Sequence, residues 1–367
     1  MKNAISRNGV GRKVTTVVLR CLLVLFTLVL LAVIGLCMVC NLIFNGPSES
    51  ARDVLTMSLL EASATKWVPA LFLGEEKVAG IKADVSAPLQ EEVSDSSQII
   101  INSAGSNADS DEWKDSPDGI RIETVYGDTY TAHVMVIRDP SAVYLATSSD
   151  QFSVNTPGTR ITNQIKTEGA IAAINAGAFN DDGTASSYVG SCPIGLVVSE
   201  GEILWNDGKS YEGFVGFNED NILIVAQTMT AEKAKELNIR DGCCFGPVLL
   251  MNGEVNQTEF SSNSGYNPRT AIGQRADGAI IFVCIDGRQM GSLGGTYADL
   301  INIMVEYGAV NACNLDGGSS SVMLYKDTYG LYGQSGEIVM INNYSLLQEA
   351  PRRMPTFFMV RGSNDEE

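Results

Sequence analysis

Residues 280–321 read IIFVCIDGRQMGSLGGTYADLINIMVEYGAVNACNLDGGSSS, and this stretch decides the fold. Ile280–Ile285 is an unbroken apolar run of strand length that stops at Asp286-Gly287-Arg288. Leu293-Gly294-Gly295-Thr296 then leads into a predicted helix over 297–307. Thr296 is a suitable N-cap, Asp299 stands in the capping-box place, and Leu300, Ile303, Met304 and Tyr307 form one apolar stripe before Gly308 stops it. A second apolar run ends at Asn314-Leu315-Asp316 and turns through Gly317-Gly318-Ser319-Ser320-Ser321. Strand, glycine-rich loop, helix, strand is therefore the core unit.

The same phrase, an apolar run ending at Asn or Asp before small residues, occurs upstream at Ile171-Ala172-Ala173-Ile174-Asn175-Ala176-Gly177. Polar side chains at the ends of buried strands lie where ligands sit, and glycine lets a backbone approach them closely. Three such ends could share one site.

Further strands are predicted at 120–125, 132–137, 194–198, 203–205, 214–217 and 222–226, with helices over 159–167 and 231–237. Val248–Met251 followed by Asn252-Gly253 reads as a hairpin. The expected fold is α+β: a strand-rich, mixed-sheet globular domain with few helices, preceded by one N-terminal transmembrane helix.

From Cys21 to Phe44 no residue is charged, which exceeds the ~20 residues needed to cross a bilayer. Lys2, Arg7, Arg12, Lys13 and Arg20 precede it without an acid, so the positive-inside rule puts the N-terminus in the cytoplasm and the body outside. This predicts a basic tail at 1–20, a signal anchor at 21–44 and localisation at the cell membrane. A helical stalk is expected over 45–83. Residues 84–118 hold nine acids and one lysine, the composition of a disordered linker. The globular domain is expected over 119–363.

The formal charge is −18, and without the first 20 residues the balance is −23. So acidic a body disfavours nucleic acid as a partner, because phosphate backbones are held by Lys and Arg. The single histidine, His133, excludes two-histidine zinc motifs and reads as an ordinary strand residue. Acid–base chemistry then falls to carboxylates. Of eight cysteines, the five outside the anchor read as buried thiols.

Asp316-Gly317-Gly318-Ser319-Ser320-Ser321 sets a carboxylate beside exposed N–H groups and three hydroxyls, which suits an anionic or polyhydroxylated ligand; a plain Gly-Ser hairpin loop is the alternative. Asp286 with Arg288 is either a site pair or a solvated turn. Gly294, Gly295 and Thr296 could hold an anion at the helix N-terminus or simply cap it. Arg269, entering a strand after Asn267-Pro268, could fork onto phosphate or lie on the surface. Asn175 could hold a sugar hydroxyl or close an Asx turn. The Tyr188–Cys192 stretch could form part of a rim.

In order, Ile174-Asn175-Ala176-Gly177-Ala178-Phe179, Phe245-Gly246-Pro247, Pro268-Arg269-Thr270-Ala271-Ile272-Gly273, Asp286-Gly287-Arg288, Gly294-Gly295-Thr296 and Asn314-Leu315-Asp316-Gly317-Gly318-Ser319-Ser320 resemble the phosphodiester glycosidase domain family. The resemblance covers about residues 119–362, and the anchored layout resembles bacterial, exopolysaccharide-related members. It implies hydrolysis of a sugar-1-phosphodiester at the anomeric carbon, on a glycan carrying an N-acetylhexosamine-1-phosphate. Asp316 and Asp286 would be the catalytic carboxylates. Arg269 and Arg288, with the N–H groups at Gly294, Gly295 and Thr296, would clamp phosphate, and Asn175, Gly317, Gly318, Ser319 and Ser320 would hold the substrate. No cofactor is required; a divalent cation on Asp286 and Asp316 stays open. The alternative from another class is a membrane-tethered, non-catalytic polysaccharide-binding module.

Overall fold

The structure, a computed structural model, describes residues 4–60, 65–83, 93–101, 113–114, 116, 118–180, 190–209, 211, 213–255, 264–289, 291–344 and 350–362. Two compact units are distinguished, residues 1–81 and 82–367. In the first, one helix runs Ala4–Phe44 and contains a segment, Thr15–Phe44, long and apolar enough to cross a membrane. The helix stops ahead of Pro47, whose ring cannot continue it. Three short helices follow within the stretch expected as a helical stalk: Glu49–Leu60, Val68–Leu73 and Glu75–Ala83. Pro69 starts the second, and Gly74 at φ +80° separates it from the third.

The second unit is built on three sheets, and every strand pairing among the described residues is antiparallel, where a mixed sheet was expected. The first sheet runs Ile120–Tyr126, Thr131–Ile137, Ile280–Ile285, Arg269–Arg275, Ala309–Leu315, Val248–Met251 and Glu254–Val255 from edge to edge. The second runs Glu202–Asn206, Leu196–Ser199, Ile239–Cys244, Phe214–Asn218 and Leu223–Ala226. The third runs Glu337–Met340, Met323–Asp327, Ala172–Asn175, Thr356–Val360 and Val143–Thr147. A two-strand ribbon pairs Thr159–Arg160 with Arg353–Met354.

The three sheets meet in one core that joins Met135, Phe282 and Leu315 to Val215 and Phe217 and to Leu145, Ile174 and Phe358. Each such side chain contributes roughly 1.5–3 kcal/mol by leaving water. Helices cover the outer faces. Leu300, Ile303 and Met304 of the helix Tyr297–Glu306 lie against Val134, Ile281 and Val283 of the first sheet. Ile161 and Ile165 of the helix Ile161–Glu168 lie against Ala173, Leu324 and Phe357 of the third. This explains why Ile280–Ile285 is apolar at every position: both of its faces are buried. The helix over 297–306 has the full capping box of Thr296 and Asp299.

Much of the compositional linker lies outside the described residues, but 93–101 does not, and this piece is docked. Val93 bridges Ala226, the Ile100 N–H donates to the Ala276 carbonyl at 2.9 Å, and Ile99 is buried. The apolar triplet Ile99–Ile101 thus supplies contact surface inside an otherwise polar stretch. All eight cysteines are unpaired, and Cys243, Cys244, Cys284 and Cys313 are buried.

Candidate active site

The register of the first sheet creates the site. Arg269 lies opposite Ile285, and Thr270 lies opposite Leu315, so one strand begins where both neighbours end. Asp286 and Asp316 leave the sheet on opposite flanks of Pro268. Both loops lean on that proline. A Cβ at Gly287 would stand 2.7 Å from the Pro268 nitrogen, one at Gly317 would stand 2.8 Å from its carbonyl oxygen, and the Gly318 N–H donates to that oxygen at 2.8 Å. Only glycine permits this approach.

The third strand end joins through Asn175. Its amide donates to Thr270 Oγ1 at 3.1 Å and to the Asp316 carbonyl, and its Oδ1 accepts the Val322 N–H at 3.1 Å. Thr270 Oγ1 also donates to the Asp316 carbonyl, at 2.7 Å. The three strand ends therefore converge, but Asn175 is fully buried and its amide is occupied in knitting them together. It has no donor left to offer a sugar.

A cavity of about 70 Å³ opens between these loops, lined by Asp286, Arg288, Ser319, Ser321, Asn343 and Tyr344 among others. A polar cavity of this size suits a small charged group. The Asp286 carboxylate is 1 % exposed and has three polar neighbours, two of them donors from Asn343. The Asn343 main-chain N–H reaches Oδ1 at 2.9 Å, the Asn343 amide reaches Oδ2 at 2.7 Å, and His133 Nε2 lies 3.4 Å from Oδ2. Thr124 Oγ1 lies 3.4 Å from the other ring nitrogen of His133. The Ser321 hydroxyl faces this cavity region buried and without a hydrogen-bond partner. An unpaired buried hydroxyl is costly unless a ligand completes it.

Cations border the same cavity. Arg288 adopts φ +59°, an uncommon region for a residue with a Cβ, and its Nη2 donates to Asn267 Oδ1 at 3.0 Å. Arg352 Nη1 lies 3.4 Å from Ser319 Oγ and packs its guanidinium 4.7 Å from the Phe179 ring centroid. The Tyr344 hydroxyl donates to the Ser319 carbonyl at 2.6 Å. Burial raises the Tyr344 phenol above its ordinary value, while a main-chain bond from Arg352 and the Arg352 and Arg160 charges act the other way.

Several predicted site residues have other employment. Arg269 is 2 % exposed; its Nε donates to the Gly295 carbonyl at 2.7 Å and its Nη2 to the Ser264 and Gly265 carbonyls, each at 2.9 Å, with Tyr297 3.9 Å beneath it. It ties loops to the sheet instead of facing the cavity. The Gly294, Gly295 and Thr296 N–H groups are directed to the Thr129 carbonyl, the Asn267 carbonyl and the Asp299 carboxylate. The anion at this helix N-terminus is thus the protein's own Asp299. Ser320 is buried with an unpartnered hydroxyl but does not line the cavity, whereas Gly318 and Ser319 do. Asp316 is half-buried on the other flank of Pro268. Its charge, after burial, helps to raise the Tyr211 phenol above its ordinary value. Tyr188 and Val189, expected at the rim, lie outside the described residues.

Sequence reasoning missed His133, Asn343, Tyr344 and Arg352, while Ser321 belongs to the motif that it singled out. One signal was available: Ile338-Val339-Met340-Ile341-Asn342-Asn343 is a further copy of the strand-end phrase. His133 gave none, because its approach to Asp286 depends on the pairing of 131–137 with 280–285, with His133 opposite Cys284.

Residues 168–361 match the family model for phosphodiester glycosidases. The SPbeta prophage-derived uncharacterized protein YomE of Bacillus subtilis (strain 168) is 25% identical over 199 residues, which is 52% of this chain and 28% of that protein. The chain thus spans little more than a quarter of the length of this relative. The fold is similar to the solved zebrafish N-acetylglucosamine-1-phosphodiester alpha-N-acetylglucosaminidase catalytic domain, auto-inhibited by its pro-peptide, with 20% identity, a TM-score of 0.50, and coverage of 68% of this chain and 85% of that one.

Proposed function

The chain belongs to the phosphodiester glycosidase family, and on that premise we propose that it hydrolyses a sugar-1-phosphodiester at the anomeric carbon, releasing free sugar and a phosphomonoester. The observation that carries this reading is the pairing, in one small cavity, of the buried Asp286 carboxylate, held at both oxygens by Asn343, with the Arg288 guanidinium. Arg288, Ser319 and Arg352 form the end that takes the phosphate, by charge-assisted hydrogen bonds. Asp286 forms the end that faces the reacting carbon and serves as base or nucleophile. Asn343 and His133 fix its orientation. Asp316, across Pro268, is the second carboxylate, available to stabilise positive charge developing on the sugar ring.

The leaving group makes this division workable. A phosphomonoester has its second pKa near about 6 and departs as an anion without strong protonation. Catalysis then needs a held charge on the leaving side and a carboxylate on the other, which the cavity's two ends supply.

The substrate we propose is a cell-envelope or exopolysaccharide glycan carrying an N-acetylhexosamine-1-phosphate. The Thr15–Phe44 helix would anchor the chain in the cell membrane as a single pass, with the basic N-terminus in the cytoplasm and the domain outside.

The test is hydrolysis of UDP-N-acetylglucosamine and of methyl-phospho-N-acetylglucosamine by the full chain in detergent, following free sugar by proton NMR, with Asp286→Asn in parallel. Wild type should release sugar and the variant should lose a factor of about 10²–10⁴. A folded wild-type chain that binds these compounds yet releases no sugar would sink the hydrolase and favour the binding module.

A further inference from the structure

We infer that Arg160 and Arg353 form a second anion subsite next to the cavity, so that the preferred substrate is a polymer of phosphodiester-linked sugars and not an isolated diester. The inference rests on the hydrolysis proposed above.

Arg160 and Arg353 are direct partners across the antiparallel ribbon Thr159–Arg160/Arg353–Met354. Directly opposed residues project from the same face, with Cβ atoms about 4.5–5.5 Å apart, and like charges so placed repel. Both side chains are exposed. Arg52, Arg121, Arg240 and Arg275 each sit against a carboxylate, but among the described residues Arg160 and Arg353 do not. In a chain with 43 acidic and 25 basic side chains, two opposed arginines with no carboxylate against them among the described residues form a local concentration of positive charge.

Nothing on the adjoining helix offsets it. Arg160 is the N-cap residue of Ile161–Glu168, no side chain caps that end, and its first turn holds no acid. A cation there opposes the helix dipole, so an external anion relieves both unfavourable terms.

The ribbon is also built to stay in place. A Cβ at Gly158 would collide with the Gly190 and Met354 carbonyl oxygens at 2.1 and 2.7 Å, and one at Gly190 with the Arg353 carbonyl oxygen at 2.2 Å. Three backbone segments are pressed together here, and Arg353 Nη1 donates to the Gly158 carbonyl at 3.0 Å. One link ties the ribbon to the cavity: Arg352, adjacent in the chain to Arg353, reaches Ser319, which lines it. A polyanion with one phosphate in the cavity can place another on the Arg160–Arg353 pair. An isolated diester reaches the cavity alone.

The experiment compares methyl-phospho-N-acetylglucosamine with a synthetic oligomer of N-acetylglucosamine 1-phosphate repeats, using the full chain in detergent. Wild type, Arg160→Ala/Arg353→Ala and Arg160→Lys/Arg353→Lys are assayed for KM and kcat, and oligomer binding is measured by calorimetry in an Asp286→Asn background. Thermal melting checks that each variant is folded. The alanine pair should weaken oligomer binding and raise its KM about tenfold, with kcat and every monomer constant unchanged, and the lysine pair should restore most of the loss. Oligomer constants that do not move would overturn the subsite while leaving the hydrolysis intact. Equal losses on monomer and oligomer would overturn it too, by assigning the arginines to the cavity or the fold. If wild type cleaves and binds neither compound, the proposed hydrolysis fails first and this substrate class falls with it.

Discussion

Asn343 holds Asp286 at both oxygens: its main-chain N–H donates to Oδ1 at 2.9 Å and its side-chain amide donates to Oδ2 at 2.7 Å. One residue therefore sets both the position and the rotation of the carboxylate. Replacing Asn343 with Ala keeps the main-chain bond and deletes the other. We expect kcat for sugar release to fall about 10- to 100-fold, the equivalent of a hydrogen bond to a charged group, with KM little changed and the melting temperature lowered because a buried carboxylate loses a donor. An unchanged kcat would mean that Asp286 needs no such alignment.

Arg288 separates stability from activity. Its φ of +59° costs a residue with a Cβ about 1 kcal/mol more than glycine. Arg288→Gly and Arg288→Ala both remove the guanidinium, so both should lose most phosphodiester hydrolysis. In urea titrations the glycine variant should be the more stable of the two by about 1 kcal/mol. Equal stability would show that the backbone relaxes when the side chain is lost.

Asn175 is assigned to the framework, and this too can be measured. Asn175→Ala strands the Val322 N–H and removes the amide's bonds to Thr270 and to the Asp316 carbonyl. The expected cost is about 2–4 kcal/mol of stability. A variant as stable as wild type, with only KM raised, would instead return Asn175 to the role of sugar ligand.

Asp327 gives an acid limb to stability. Burial by itself would raise its pKa, but N–H groups of Leu331, Tyr332 and Gly333 at 2.7–2.8 Å hold the carboxylate below its ordinary range. A depressed carboxylate contributes stability that is present above its unfolded value, about 3.9, and is lost as pH falls through the folded value. Melting temperature measured downwards from pH 5 should therefore fall less steeply in Asp327→Asn than in wild type. Parallel curves would show that Asp327 adds nothing to the acid limb.

What could be read from the chain followed periodicity and turn chemistry. The helix over 297–306 carries its own start, stripe and stop, and the Val248–Val255 hairpin follows from Asn252-Gly253, both at positive φ. The strand ends ahead of Asp286 and Asp316 were visible for the same reason. What a guanidinium faces was not visible. Arg269 and Arg352 are both arginines beside a proline, yet one is packed on Tyr297 against carbonyls and the other reaches Ser319. That outcome depends on tertiary packing and leaves no local pattern. His133 shows the same limit: it meets Asp286 only because two strands distant in sequence become neighbours.

The seating of Gly287 and Gly317 against Pro268 bears on how this protein can be altered. The two carboxylate-bearing loops share an abutment, so a side chain that displaces one transmits its push to the other. Substitutions in the two loops are then epistatic, with combined effects that depart from the sum of the single ones by the 0.5–3 kcal/mol typical of residues coupled through a common neighbour. Adapting this site to a new ligand therefore means redesigning both loops around the proline together, since neither can be tuned alone.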